Sequence, residues 1–575
     1  MARAWPAAVA AIALGALALR VTALDFGLPA VYNPDEVAIM SRALAFAKGD
    51  LNPHNFVYPT FYFYVLFGWI GGLFGWQWLT GTVASAAEFQ ARFFVDPTSV
   101  YFAGRLLSAI AGAATVAVVA LLGRATFDRA TGLVAAAFLA VAPLAVQDAH
   151  YVKHDVPVTL VITLALWLMA RCWREAAAGS APSRTAWFWP AAATGVAWSM
   201  HYYAVFLGIP LALTAGASRG SDDRAAVART ALALFAIAAA VFFALSPFLL
   251  VEPATALRDI VANRQIVVDR AIEAGYFGHL GEYLALLARP GLSMPICASG
   301  VIGAFLLAWR RPRTAALLLA FPVAFLLFIA NTVPASRYLN PILPVVAVLA
   351  AHTLAAIATR YPRPGTVLGV LGTVMAANAL GQSVELVRFF GRPDTRTLAR
   401  EVVEREAAAG STVLVQPYSV PLHESREGLT AAVLAHAGSL DRVSTKTRLR
   451  LATSPWPHPA YRLLWLGEGG LDDDKIYVGP DTLAADPIRV LREQRIDYVV
   501  LKGFDEADPR LEPVARALAA RGTHVASITP YRAASPDPGA PFLHNTDATL
   551  HANLARPGPP ITIFRVPRGE AVRLQ

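Results

Sequence analysis

The stretch Trp5–Leu24, WPAAVAAIALGALALRVTAL, runs into Asp25 and then into Tyr32-Asn33-Pro34-Asp35-Glu36, and it decides how the rest of the chain is read. Its only charge is Arg20. A helix needs about 20 apolar residues to cross a bilayer. The run follows Arg3 and resembles a secretory leader, yet no small-residue cleavage site precedes Asp25. A retained first span is therefore expected. Comparable apolar runs follow at 101–122, 130–147, 156–173, 187–201, 203–217, 230–250, 291–309, 314–332, 338–358 and 364–386. One further run, Tyr58–Leu79, is crowded with Tyr, Phe and Trp, residues that favour the membrane interface.

Composition agrees with a membrane body. Of 575 residues, 56% are hydrophobic and 15% charged, whereas a soluble domain carries about 25% charged residues. The charge is also uneven. Arg392–Gln575 is about a third of the chain but holds 45 of the 89 Asp, Glu, Lys and Arg residues. A membrane domain over 1–390 and a globular domain of ordinary composition over 391–575 are expected. The net charge of +9 contains no dense Lys/Arg block, which argues against nucleic acid as a partner. Both cysteines, Cys172 and Cys297, lie in apolar runs, so no disulfide framework and no Cys-based metal site is indicated.

Arginine placement sets the topology. If 58–79 is juxtamembrane or re-entrant, Arg3, Arg124, Arg129, Arg171, Arg174, Arg184, Arg219, Arg224, Arg229, Arg310, Arg311, Arg313, Arg360 and Arg363 all fall on one side. Only Asp128, Glu175, Asp222 and Asp223 oppose them there. That side is cytoplasmic by the positive-inside rule. The result is about eleven spans, a cytoplasmic N-terminus and an extracytoplasmic tail.

Polar clusters then gather on the outer face. The first is Tyr32-Asn33-Pro34-Asp35-Glu36, whose adjacent carboxylates suit a general base or a cation site, or else cap a helix starting near Glu36. The second runs from Asp148 through His150, Lys153 and His154 to Asp155 and Pro157. It reads either as chemistry or as snorkelling residues with Asp155 capping the next span. His150 and His154 have zinc-like helical spacing, but the span break there speaks against a site. The third is Ser336-Arg337-Tyr338-Leu339-Asn340-Pro341, where Arg337 is either a phosphate partner or a lone snorkelling cation. His201-Tyr202-Tyr203 is a weaker fourth. Carboxylates beside Lys and Arg at a membrane surface suit a particular chemistry, in which cations hold a lipid-linked phosphate while a carboxylate deprotonates an acceptor.

Asn33-Pro34-Asp35-Glu36 followed by Tyr58-Pro59-Thr60-Phe61-Tyr62 resembles the opening of the GT-C fold membrane glycosyltransferases related to protein O-mannosyltransferases and to the lipid A aminoarabinose transferase. The resemblance continues through Gly104-Arg105-Leu106-Leu107-Ser108, Asp148–Pro157, Arg337–Pro344 and Asp394-Thr395-Arg396. It implies transfer of a sugar from a polyprenyl-phosphate donor to a lipid, glycan or protein acceptor on the extracytoplasmic face of the inner membrane, with inversion. Carried over by position, it marks Asp35 as the catalytic base, with Glu36 and Asp155 as further catalytic acids. Lys153, Arg337 and more weakly His201 would face the donor phosphate. Asp148, His150, His154, Tyr58 and Tyr338 complete the candidate site. Asn33 departs from the His of many relatives. Some GT-C enzymes use a divalent ion, which Asp35, Glu36 and Asp155 could hold through oxygen; no obligatory metal or other cofactor is expected.

Two other functions fit a polytopic chain. A lipid or sugar transporter predicts ionisable residues near mid-span and repeated halves, and neither is visible. A non-catalytic envelope-assembly subunit would tolerate loss of Asp35.

The tail reads as an α/β domain with a mainly parallel sheet. Strands are expected at Thr412–Gln416, Tyr461–Leu466, Asp497–Leu501, Thr523–Ser527 and Ile561–Val566, with helices at 394–408, 484–494 and 509–521. Gln416-Pro417-Tyr418 follows the first strand where a nucleotide-binding fold would place a glycine loop. Asp472-Asp473-Asp474 reads as a solvated turn or a calcium site. The tail is expected to contact acceptor or to cap the site.

Overall fold

The structure, a computed structural model, describes residues 4–177, 183–217, 224–268, 275–438, 444–469, 474–503, 509–545 and 549–567. The chain packs as two units. One comprises Met1–Leu24, Asp35–Leu73 and Tyr101–Val387. The other gathers Asp25–Pro34, Phe74–Val100 and Arg388–Gln575.

The first unit is built from helices. In chain order the helices up to the tail are α1 Ala4–Val21, α2 Pro34–Ala45, α3 Phe61–Leu79, α4 Ala86–Val95, which belongs to the second unit, α5 Thr98–Thr126, α6 Arg129–Ala140, α7 Pro143–Asp148, α8 Asp155–Ala177 and α9 Arg184–Met200. They continue with α10 Gly208–Ala217, α11 Arg224–Leu245, α12 Phe248–Val251, α13 Pro253–Val268, α14 Gly275–Leu286, α15 Met294–Arg310, α16 Pro312–Ile329, α17 Leu343–Ala358 and α18 Pro364–Phe390. Among the described residues, six helices are long and apolar enough to cross a membrane: α1, α5, α8, α11, α16 and the one opening at Pro364. Shorter apolar helices include α6, α15 and α17. The unit is thus a polytopic helical membrane body. Small residues let its helices approach closely. A Cβ on Gly303 of α15 would stand 2.2 Å from the Leu349 carbonyl oxygen of α17, and one on Gly195 of α9 would stand 2.3 Å from the Ala238 oxygen of α11.

Several expected boundaries move, each for a local reason. The span expected over 130–147 breaks between α6 and α7, where Pro143 brings no N–H to continue the ladder. The carbonyls freed there are taken up by side chains. Arg20 donates to Ala140 O (2.9 Å) and Leu139 O (3.3 Å), and Ser383 donates to Val141 O (2.8 Å). Arg20, the one charge of the first span, is fully buried and closes a helix C-terminus, where cations are favoured. The span expected over 203–217 opens as a 3-10 turn, Tyr202–Leu207, before α10. Tyr58–Leu79 does not turn back on itself. It contains one continuous 19-residue helix, α3, so a re-entrant hairpin is excluded. Residues 251–290, given no element by the apolar runs, hold α13 and α14.

The second unit is an α/β domain. Its strands are β1 Thr412–Val415, β2 Arg462–Leu466, β3 Ile476–Val478, β4 Tyr498–Lys502, β5 Thr523–Ile528 and β6 Ile561–Arg565. The sheet order is β3-β2-β1-β4-β6-β5. The first four strands are parallel, whereas β6 runs antiparallel to both β4 and β5. Both faces are apolar, as a covered parallel sheet requires. Val413, Val415, Val500 and Ile563 pack with Ala399 and Val403 of α19 Thr395–Glu406. Leu414, Leu464 and Val499 pack on the other side with Leu483, Leu491, Val514 and Leu518. The helix expected over 484–494 is two short ones, Pro480–Ala485 and Pro487–Glu493, interrupted at Asp486-Pro487. Asp394 caps α19 by accepting from Arg396 N (2.8 Å) and also grips the Arg396 guanidinium at 2.9 and 2.8 Å. That guanidinium lies 3.8 Å from the centre of the Tyr32 ring, whose hydroxyl meets Thr397 at 2.6 Å. The stretch Asp25–Pro34 is thereby woven into this unit. Of the three aspartates at 472–474, only Asp474 is among the described residues, where it accepts from Arg450.

Candidate active site

Helix α2 separates its two acids. Pro34 opens the helix with a pre-set φ, and Asp35 and Glu36 occupy its first turn, where carboxylates meet the positive end of the helix. Glu36, Ile39, Met40 and Ala43 form the buried stripe at helical spacing. Consecutive positions on a helix point about 100° apart, following from 3.6 residues per turn. Glu36 therefore enters the core while Asp35 stays at its edge, with 36% of its side chain exposed.

Glu36 is fully occupied. Arg105 of α5 donates Nε to Oε1 and Nη2 to Oε2, both at 2.9 Å, and Val152 N donates to Oε1 at 2.9 Å. Arg105 also donates to Leu24 O at 2.9 Å. Both members of the ion pair are fully buried. The bidentate geometry ties the end of α1, α2, α5 and the 149–154 turn together.

Asp35 meets two cations instead. Arg337 donates from Nη1 to its Oδ2, and Lys153 Nζ lies 3.2 Å from the same oxygen. Burial alone would raise the Asp35 carboxyl, but Lys153 and Arg337 hold it below the usual carboxylate range. Asn340 bridges beneath, donating to the Asp148 carboxylate and to Arg337 O (3.0 Å). Burial pushes Asp148 up to about 6 against the pull of Lys153. The ring of Tyr338 lies 5.4 Å from the Arg337 guanidinium. One acceptor-rich, partly open carboxylate thus sits among two fixed cations.

Beyond it lies a run of rings. Tyr58 stands 4.4 Å from His154 and 5.3 Å from His201, and His201 stacks on Tyr203 at 3.7 Å. Burial, reinforced by Arg337, drops His154 to about 3, so its ring is neutral. Asp155 opens α8, yet neither of its oxygens makes a hydrogen bond, so it does not cap that helix through its side chain.

The structure gathers Asp35, Asp148, Lys153, His154, Asp155, His201, Arg337, Tyr338 and Tyr58 in one neighbourhood. It sets His150 apart: both ring nitrogens meet carbonyls, Val146 O at 2.7 Å and Thr22 O at 3.0 Å, which removes the zinc pairing with His154. Asp35, Glu36 and Asp155 do not converge as oxygen ligands, because Glu36 is taken by Arg105 and Val152. Among the described residues, no group of three or more His, Cys, Asp or Glu stands ready to hold a metal ion. Two cations carried no expected role. Arg105 stands in the Gly104–Ser108 stretch of the resemblance without a role of its own, and Arg42 of α2, 5.9 Å from the Tyr58 ring, carries no motif.

Residues 92–250 match the family model of the dolichyl-phosphate-mannose-protein mannosyltransferases. No curated protein matches the chain by sequence. ArnT from Cupriavidus metallidurans, solved bound to undecaprenyl phosphate, superposes with a TM-score of 0.54 at 16% identity, over 92% of this chain and 97% of that one. The apo Archaeoglobus fulgidus oligosaccharyltransferase superposes with a TM-score of 0.51 at 12% identity, over 87% of this chain and 69% of that one. The chain therefore has the GT-C fold of the membrane glycosyltransferases, with the mannosyltransferase family's sequence pattern over 92–250.

Proposed function

We propose that this protein is a membrane glycosyltransferase that moves a sugar from a polyprenyl-phosphate donor to an acceptor on the extracytoplasmic face. The observation that carries the reading is the pairing of Asp35 with Lys153 and Arg337. Fixed cations beside an accessible carboxylate supply phosphate binding and proton removal at one place. The positive-inside count puts this face and the tail outside and the N-terminus in the cytoplasm.

The same pairing gives a sequence of events. Without donor, Lys153 and Arg337 are both engaged by Asp35 and hold it a weak base. A phosphate diester entering the cluster competes for Lys153 and Arg337, and Arg337 can grip it through two N–H groups. Asp35 then regains basicity when an acceptor can be used. The acceptor O–H or N–H gives its proton to Asp35 as its lone pair attacks the anomeric carbon. The bond from that carbon to the phosphate oxygen breaks, and polyprenyl phosphate leaves with the electron pair. Attack opposite the leaving phosphate inverts the anomeric carbon. In this reading Glu36 is a positioning residue that fixes α2 through Arg105. The test is to incubate purified protein with polyprenyl-phosphate-linked sugars and follow release of polyprenyl phosphate. Wild type is expected to consume at least one donor and Asp35→Asn none; consumption by Asp35→Asn at the wild-type rate rejects the mechanism.

A further inference from the structure

The run of rings beside Asp35 holds the densest set of unsatisfied polar atoms described in the first unit. Both oxygens of Asp155, Nδ1 of His154, Nε2 of His201 and the hydroxyl of Tyr203 are buried without a hydrogen-bond partner. Asp155 is 1% exposed, His154 4% and Tyr203 6%. Leaving one buried polar group unpaired is costly, and folded proteins seldom do so several times in one place. Glu36, close by in the same body, shows the ordinary solution, with every oxygen engaged. The side chains around Asp155 are therefore arranged for something that arrives.

Their chemistry states what arrives. His201 Nδ1 accepts from Tyr203 N at 3.3 Å, so the neutral ring carries its proton on the unpartnered Nε2. Nε2 is then a donor, Asp155 offers two acceptor oxygens, and the Tyr203 hydroxyl is both donor and acceptor. Alternating donors and acceptors match hydroxyl groups, which also do both. The flat faces of Tyr58, His154 and His201 supply apolar walls around them. Charge narrows the class further. Asp155 is already answered electrostatically by Arg337, for which it is the foremost charged partner, so a cationic ligand is not required there. An anionic ring would bring a further negative charge against a buried carboxylate whose oxygens make no hydrogen bond.

We infer that Asp155, His201 and Tyr203, with His154, form a subsite that hydrogen-bonds the hydroxyls of an uncharged sugar ring on the donor. The inference rests on the glycosyltransferase reading above, and it makes Asp155 a recognition residue where the family resemblance marks it as a catalytic acid.

The experiment separates sugar from lipid. Equilibrium binding to the full-length protein is measured for undecaprenyl phosphate alone and for undecaprenyl-phosphate-linked mannose, glucose, arabinose and glucuronic acid. Wild type is expected to prefer at least one neutral glycolipid over the bare lipid phosphate and to bind the glucuronyl lipid no better than the bare one. Asp155→Asn and Tyr203→Phe should each reduce the neutral-sugar preference by about tenfold, the scale of a lost buried hydrogen bond. Affinity for bare undecaprenyl phosphate should stay unchanged in Tyr203→Phe, which also shows that this variant is folded, while Asp155→Asn, which removes a charged partner of Arg337, is read by the ratio of neutral-glycolipid to bare-lipid affinity. A wild-type preference retained in both variants overturns the subsite and leaves the Asp35 reading standing. So does parallel loss for bare and glycosylated lipid, which would put Asp155 in support of the phosphate cations. Wild type that binds all of these lipids alike also overturns it. Failure to bind any of them overturns both readings.

Discussion

Asp35 and Glu36 are neighbours in sequence and opposites in surroundings. Glu36 is sealed from solvent and satisfied by Arg105 and a backbone amide. Asp35 is partly open and shares one oxygen between two cations drawn from elsewhere in the chain. The difference arises from one step along a helix. It shows that adjacent carboxylates need not share a role: one step along a helix separates a sealed, paired acid from one that water can reach.

The sharpest way to break this contrast is to neutralise each acid in turn. Asp35→Asn keeps size and removes only the charge and the basicity. Transfer should fall by about 10²–10⁴-fold, the usual worth of a positioned general base. The thermal unfolding midpoint should fall less than in Glu36→Gln, because Asp35 is 36% exposed and water can reach the cations it leaves. Glu36→Gln should do the reverse. It leaves the buried Arg105 charge without a counter-charge, at a cost of about 3–5 kcal/mol. A lowered unfolding midpoint and poor yield are expected, with the surviving folded fraction retaining turnover. If Glu36→Gln is stable and inactive, the assignment of the two acids is inverted.

Arg337→Ala probes the cations with a smaller effect. It removes a donor to Asp35 and, on the proposed function, one half of the phosphate grip, so donor affinity should fall by about 10–100-fold, in line with a charged hydrogen bond of roughly 1.5–3 kcal/mol. The free carboxylate should at the same time move back toward its ordinary range, since Arg337 helps to hold it down. Titration of Asp35 by NMR or by pH–rate profile checks the second statement. Unchanged donor affinity would remove Arg337 from the phosphate site.

How much of this is legible in the sequence follows from the same physics. Asp35, Lys153 and Arg337 were legible because charges near membrane ends are scarce, and arginine counting put all three on one face. The helical membrane body and five of the six strands were legible from apolar runs and β-rich segments. The pairing of Arg105 with Glu36 was not, since the two are 69 residues apart and the surroundings of Arg105 are apolar. The break at Pro143 was hidden because its freed carbonyls are satisfied by Arg20 and Ser383 from other helices. Strand β3 was missed because three residues show no alternation, and α13 because its composition is too polar for a span. What sequence pattern lacks in each case is the distant partner that makes a local oddity affordable.

The second unit contains its own contrast to Asp35, and it supplies a prediction of pH dependence. Glu424 lies beside His423, Arg450 and Trp456 and accepts from Leu463 N at 3.1 Å. Asp35 is held down by cations, whereas burial pushes the Glu424 carboxyl up to about 8, from an ordinary 4.5. The sign follows from proton counting. Below pH 4.5 the folded and unfolded forms both hold the proton. Between 4.5 and 8 the unfolded chain releases it while the folded one keeps it, so folding stability declines as pH rises through this window. Above 8 both are ionised and the penalty is complete. Each pH unit of that window costs about 1.4 kcal/mol. Glu424→Gln should remove the decline, leaving the protein less pH-sensitive and more stable at about pH 8 than wild type. Amide exchange at Leu463, measured at about pH 5 and about pH 8 and corrected for intrinsic rates, reads this locally. Protection should fall with pH in wild type and stay level in Glu424→Gln. Equal protection at both pH values in wild type would place Glu424 among ordinary ionised carboxylates and leave Asp148 as the raised carboxylate beside the site.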